Sequence, residues 1–250
     1  MDSFIGWIGG KRLLRKHICN CFPDNVSKYI EVFGGAAWVL FYKKHAEFEV
    51  YNDINSELVN LFKCVKYHPE AIIKEFEYIL NSREIFKYFK NQNIESLTEI
   101  QRATRYLYIV KASYGSNIRT YNLRPRKINN LDSLKDIQKR LEKVVIENKT
   151  FDNLIKTYDS KDTLFYCDPP YFKSEKLYDT GDFIFDVNQH MILKDILSNI
   201  KGKFILSYNN CDFIKNLYKD YKINEISRDN NLSLRYNKDK IYNELIIKNF

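Results

Sequence analysis

Glycine and proline are scarce, with 8 and 5 in 250 residues. That excludes collagen-like repeats and Gly/Pro-rich disordered linkers. Cysteine is scarce too, and the five present (Cys19, Cys21, Cys64, Cys167 and Cys211) are odd in number and scattered. This argues against a disulfide framework and for a reducing compartment. Cys19 and Cys21 stand too close for a zinc knuckle and have no second pair, so no metal is expected. No run approaches eighteen apolar residues, so no membrane span is expected. The opening MDSFIGWIGGKRLLRK lacks an apolar stretch followed by a small-residue cleavage site and does not read as a secretory signal. Acid is in deficit: 32 Asp and Glu stand against 40 Lys and Arg, a formal charge of +8. That sign favours polyanion partners, although a surface tuned for solubility carries the same surplus.

What is present is ordinary globular material. With 44% apolar and 29% charged residues the chain is not disordered, and its length suits one large domain with a two-sided core. The wealth of Lys, Asn and Ile is also what an AT-rich genome produces. Residues 11–22 read as a short basic amphipathic helix, 28–33 as a strand stopped by Gly34-Gly35, and AAWVLFYKK as a helix. EFEVYND (47–53) alternates as a second strand, and 54–80 carry a helical period interrupted near Pro69. Residues 81–143 are mostly helical in pattern, with an irregular stretch at 112–130. Strands resume at 144–151 and 163–168, a helix follows at 187–201 and a strand at 203–209, and the tail reads as a hairpin around a polar loop (228–240). The reading is one α/β sheet domain interrupted by a smaller helical one.

The strongest local signal is Asp168-Pro169-Pro170-Tyr171, directly after a strand. By average composition this tetrapeptide arises in roughly one chain in a thousand of this length. Ligands of open parallel sheets bind outside the carboxyl ends of strands, where this carboxylate emerges. Two prolines fix the turn, leaving Pro169 a free carbonyl on a backbone that cannot relax. A carboxylate, a rigid carbonyl and an aromatic ring suit a planar group bearing an exocyclic amine. A capped Pro-rich turn is the plainer reading. Gly34-Gly35 would let a ligand approach backbone, though tight βα loops also use such pairs. Asp53, ending the second strand, is placed to accept ribose hydroxyls or, alternatively, to cap the next helix. Lys111–Ile128, KASYGSNIRTYNLRPRKI, has five basic residues, no acid and two tyrosines, a composition suited to phosphates and base edges and also to a solvated face. The loop Asp229–Asp239 offers Arg235 and Lys238 for a second DNA contact, but reads better as a flexible hairpin loop. Cys167 reads as a buried strand residue, and the four histidines, His17, His45, His68 and His190, as surface or helix residues without partners.

The DPPY tetrapeptide resembles the catalytic motif of amino-group DNA methyltransferases, and the chain is similar to their Dam-like, D12-class N6-adenine-specific branch. The resemblance spans the chain nearly end to end in four ordered blocks: Phe4–Lys11 (FIGWIGGK), Glu31–Ala37 (EVFGGAA), Asn52–Asn55 (NDIN) and DPPY after an insert. It implies a Rossmann-like S-adenosylmethionine-dependent methyltransferase sheet with helices on both faces over 1–60 and 144–250, interrupted by a mainly helical target-recognition domain over 61–143. It further implies catalytic Asp168, Pro169 and Tyr171. Cofactor contacts would come from Trp7, Lys11, Phe33, Gly34, Gly35, Ala36, Asp53, Ile54 and Asp168, with S-adenosyl-L-homocysteine as product. DNA contacts would come from Lys111, Tyr114, Asn117, Arg119, Arg124, Arg126 and Lys127. Tyr114-Gly115-Ser116-Asn117 resembles the family's recognition pattern, with a shorter spacing to Arg119. Thr150 stands where relatives often carry an acid, and Ser207-Tyr208-Asn209 resembles a supporting element. The expected activity is methyl transfer to N6 of an adenine flipped from double-stranded DNA. The expected setting is a monomer in the cytoplasm, nucleoid-associated through DNA, with or without a cognate restriction endonuclease as partner. The amine chemistry of DPPY alone also fits cytosine N4, and block order favours adenine. A non-catalytic DNA-binding module would be expected to have lost Asp168, the glycine turn or Asp53.

Overall fold

A computed structural model describes residues 1–124, 128, 130–175, 184–229 and 241–250, with backbone alone at 227–229 and 241–242. Its centre is a seven-stranded sheet of β1 (Lys28–Glu31), β2 (Phe48–Asn52), β3 (Val144–Glu147), β4 (Thr163–Cys167), β5 (Lys203–Asn209), β6 (Lys222–Asp229) and β7 (Ile241–Lys248). The order is β3-β2-β1-β4-β5-β7-β6, with β1 to β5 parallel and β7 antiparallel to both of its neighbours.

Side chains alternate across the sheet and feed two cores. Leu164 and Tyr166 of β4 join one, and Phe165 and Cys167 the other. The first core is covered by α1 (Arg15–Asn20), α2 (Trp38–Tyr42), α3 (Ser56–Tyr67) and the helices that follow: α4 (Pro69–Glu77), α5 (Arg83–Asn91), α6 (Glu99–Ala112) and α7 (Leu134–Leu141). The second is covered by α8 (Phe151–Tyr158), α9 (Val187–Ser198) and α10 (Asp212–Leu217). Strands buried on both faces read as continuous apolar runs, as all five residues of β4 do. Among the described residues no helix is long and apolar enough to cross a membrane.

Several local expectations need correction. The strand expected over 144–151 ends at Glu147, and α8 begins at Phe151. The Asn52 carboxamide turns the chain there: its oxygen accepts from Lys149 N at 2.8 Å and its Nδ2 donates to Lys149 O at 3.1 Å. The cap of α3 is Asn55, whose side chain accepts from Leu58 N, rather than Asp53. His190 is wholly buried, with Nδ1 against the Tyr208 hydroxyl and Nε2 3.3 Å from Glu175 Oε1, so it has partners after all. Burial lowers its pKa and favours the neutral ring.

Candidate active site

The strand order reverses between β1 and β4, since β2 and β3 lie to one side and β5 to the other. A crevice opens beyond the carboxyl ends of strands at such a point. Here it becomes a cleft open to solvent at its mouth. Trp7, Lys11, Phe33, Gly34, Gly35, Ala36, Asp53, Ile54 and Asp168, far apart in sequence, all line it. Of the residues after Asp168 it is Pro170, rather than Pro169 or Tyr171, that lines the cleft.

The glycine turn is shaped by close approach. A Cβ on Gly34 would sit 2.2 Å from Tyr51 Cε2 and 2.8 Å from Asn52 O. Gly35, at φ +48°, would bring one within 2.9 Å of Trp7 Cδ1. Asp53 ties the turn down: Gly35 N donates to Oδ2 at 2.8 Å and Asn55 N to Oδ1 at 2.9 Å. The Tyr51 hydroxyl donates to Gly35 O at 2.8 Å.

At the DPPY end the charges are concentrated. Lys11, only 4% exposed, places Nζ 2.8 Å from Asp168 Oδ1, 2.8 Å from Gly9 O and 3.9 Å from Glu244 Oε2. Its ammonium also stands 4.8 Å from the centre of the Tyr171 ring. Ser207 Oγ donates to the same Asp168 Oδ1 at 2.8 Å, and the Tyr171 hydroxyl donates to Glu244 Oε2 at 2.6 Å. Both Asp168 donors therefore meet one oxygen, and Oδ2 accepts no hydrogen bond among the described residues. Burial raises the Asp168 pKa, with Lys11 and the Ser207 hydroxyl acting against the rise. Asn209, after Ser207, donates Nδ2 to Phe172 O at 3.2 Å and holds the chain that leaves DPPY.

Sequence reading gave Ser207 only as part of a supporting element and did not assign Glu31 or Glu244 a role in the site. Glu31 lines the cleft and is buried, accepting a 2.7 Å bond from the Tyr29 hydroxyl. Burial pushes its carboxyl up to about 8, against the pull of Tyr29 and Lys43. A folded-state value above the unfolded one stabilises fully below the unfolded pKa and loses that contribution as pH rises through 8. Glu31→Gln removes this dependence. Its Tm relative to wild type is expected to climb by roughly 5–10 °C between pH 5 and 9. Thermal melts across that range check this, and parallel wild-type and variant curves would refute it.

Of the residues expected to face DNA, Lys111 lies in the last turn of α6, and Tyr114, Asn117, Arg119 and Arg124 follow on the loop after it. The loop is built on Asn117, whose Oδ1 accepts from Arg119 N at 2.9 Å and Thr120 N at 3.0 Å. Ser116 and Ile118 hold left-handed φ of 58° and 54°, strain that the surrounding bonds must offset. Tyr114, Arg119 and Arg124 are exposed, and Lys111 donates to Asn130 O at 3.3 Å. Arg126 and Lys127 lie outside the described residues, as do Arg235 and Lys238. The loop touches the cleft segment, since a Cβ on Gly6 would fall 2.4 Å from Ser116 Oγ.

Comparison with known proteins agrees with this geometry. The family model for D12 class N6 adenine-specific DNA methyltransferase matches residues 7–232. Type II methyltransferase M1.LlaDCHI of Lactococcus lactis subsp. cremoris is 26% identical over 277 residues, covering 100% of this chain and 96% of its own. The DNA adenine methylase of Haemophilus influenzae is 25% identical, covering 97% and 92%, respectively. Type II methyltransferase M.CviBI of Paramecium bursaria Chlorella virus NC1A is 25% identical over the whole of both chains. The sheet order, the cleft at its reversal and a match over nearly the full length converge: this chain belongs to the D12 class N6 adenine-specific DNA methyltransferases.

Proposed function

We propose that S-adenosyl-L-methionine is the methyl donor and binds in the cleft beside Asp168. The donor set fits it. Trp7, Phe33 and Ile54 give apolar walls for a purine, Asp53 a carboxylate for ribose hydroxyls, and Gly34-Gly35 a bare turn where a ligand reaches backbone. Lys11 would hold the charged end together with Asp168. When bound, this donor supplies a methyl group on a sulfonium and departs as S-adenosyl-L-homocysteine.

The observation that carries the catalytic reading is the asymmetry of Asp168, with Oδ1 fixed by Lys11 and Ser207 and Oδ2 unengaged among the described residues. Adenine flipped from the duplex would donate its amine to Oδ2 and to the Pro169 carbonyl, which the following proline keeps rigid. Both acceptors aim the nitrogen lone pair. The positive charge that grows on nitrogen is stabilised by a fixed carboxylate more than the neutral ground state is. Tyr171, tied to Glu244, would supply the stacking face. Residues 61–143 would serve as the recognition domain, with Lys111, Tyr114, Asn117, Arg119 and Arg124 on DNA. One chain carries the cleft, the DPPY corner and the loop, which supports action as a monomer. Two of the relatives are named Type II methyltransferases, which supports pairing with a cognate restriction endonuclease.

Incubation with methyl-labelled S-adenosylmethionine and duplex DNA from a methylation-free strain, followed by nucleoside analysis, tests this. Label is expected in N6-methyl-2′-deoxyadenosine alone. Label in N4-methyl-2′-deoxycytidine, or in no nucleoside of any duplex, would overturn it.

A further inference from the structure

We propose that the exposed face of α5, together with the edge of the recognition loop, forms a second DNA contact that holds backbone phosphates outside the base-reading positions. The proposal rests on the DNA-methylating reading above and extends it to a helix of the recognition domain on which that reading places no contact.

Arg83, Lys87 and Lys90 recur at i, i+4 and i+7 on α5 and are all exposed. They therefore share one face, rising by about 6 and 4.5 Å along the axis. The opposite face is anchored by buried Phe86, with Ile85 and Phe89 packed on the core. A shallow groove runs between this basic face and the loop, where Arg119 and Tyr121 form the far wall. Among the described residues no carboxylate lines the groove, and no acid pairs with Arg83, Lys87 or Lys90.

Like charges at i, i+4 destabilise a helix by a few tenths of a kcal/mol per pair, so an uncompensated row is unfavourable unless an anion faces it. The groove is also continuous with the loop. Lys90 Nζ donates to Arg119 O at 3.1 Å, the Arg83 guanidinium lies 5.9 Å from the Tyr121 ring centre, and the Phe86 and Tyr121 rings are 5.7 Å apart. A duplex seated on Arg119 and Tyr114 would thus bring a backbone strand to α5. Contacts of this kind fix register and add affinity without reading sequence.

The test uses the full chain, Lys87→Gln and the Arg83→Gln/Lys87→Gln pair, and duplex binding measured over a range of KCl. Among the described residues Lys87 makes no hydrogen bond, ion pair or ring contact, so its replacement chiefly removes charge from the groove. The slope of log affinity against log salt is expected to become shallower by about 1 for the single and about 2 for the pair. Affinity should fall by about tenfold or more for the pair on methylatable and unrelated duplexes alike. Turnover at saturating DNA and the sequence methylated should stay as in wild type, and Lys87→Arg should restore the slope. Wild-type slopes in both variants would overturn the α5 contact while leaving methylation intact. A wild-type chain that neither binds nor methylates duplex DNA would overturn the underlying reading instead.

Discussion

Asp168→Ala is expected to lower kcat by at least about 10³-fold while S-adenosylmethionine still binds. Removing one preorganised group aimed at developing charge typically costs 10²–10³-fold, and Asp168 also positions the attacking amine. The residual binding follows from the cleft, because Trp7, Phe33, Asp53 and Ile54 line it without leaning on the Asp168 carboxylate. The substitution leaves Lys11 buried beside Gly9 O and Glu244, so some stability will be lost as well. Asp168→Asn separates the two effects. Its amide oxygen can still accept from Lys11 and Ser207, but its NH2 group would then meet the adenine amine donor to donor. The asparagine variant should therefore fold like wild type and remain nearly as inactive as the alanine variant. Single-turnover methylation, with cofactor titration by calorimetry, checks both. Activity of either variant within a few-fold of wild type would remove Asp168 from the role assigned to it.

Gly34→Ala is expected to be the most damaging single methyl group that can be added to the cleft. The new Cβ would overlap the Tyr51 ring at 2.2 and 2.6 Å and the Asn52 carbonyl at 2.8 Å. Neither neighbour is free to move. Tyr51 is fully buried, stacks on Phe62 at 4.1 Å and donates its hydroxyl to Gly35 O. Asn52 O already accepts from Gly34 N at 2.7 Å, and its side chain bridges Val32 O and Lys149 O. The backbone of the turn must shift, at a cost of about 1–3 kcal/mol. That corresponds to a Tm lower by roughly 5–10 °C for a chain of this size. The same shift moves Gly35 and Asp53, so S-adenosylmethionine affinity should drop by about 100-fold or more. Scanning calorimetry and cofactor titration read the two effects. Wild-type values for both would show that the turn has slack which these contacts deny.

Much of the site was legible before any coordinates because its parts announce themselves locally. A glycine pair after a strand, an acid after the next and a proline-stiffened acid after a third are each visible in a window of a few residues. The cleft they line was legible only through the order of those windows. What stayed hidden depends on pairing across the sheet. Glu244 sits in YNELIIK, and nothing there tells which strand lies beside it. Register places it opposite Asn209 of β5 and so next to Tyr171 and Lys11. One signal was available: Glu244 directly precedes the apolar run Leu245-Ile246-Ile247, and an acid carried into the core beside such a run needs a partner. His190 was hidden for a similar reason, since its partners Tyr208 and Glu175 come from β5 and from the chain after DPPY. The row on α5 was visible as helical period, but that no acid among the described residues pairs with it emerges only when the loop is packed against it.

The placement of β7 between β5 and β6 also sets a schedule for biosynthesis. β6 leaves the ribosome first, yet its seat in the sheet exists only after β7 has been made and has paired with β5. A nascent chain halted before Glu244 already holds the glycine turn, Asp53 and DPPY, but Tyr171 lacks its anchor and Lys11 its second counter-charge. Closing so distant a pairing is slow relative to local helix formation. The catalytic corner is thus among the last parts of the molecule to set, and a truncated translation product would carry the motif without the enzyme.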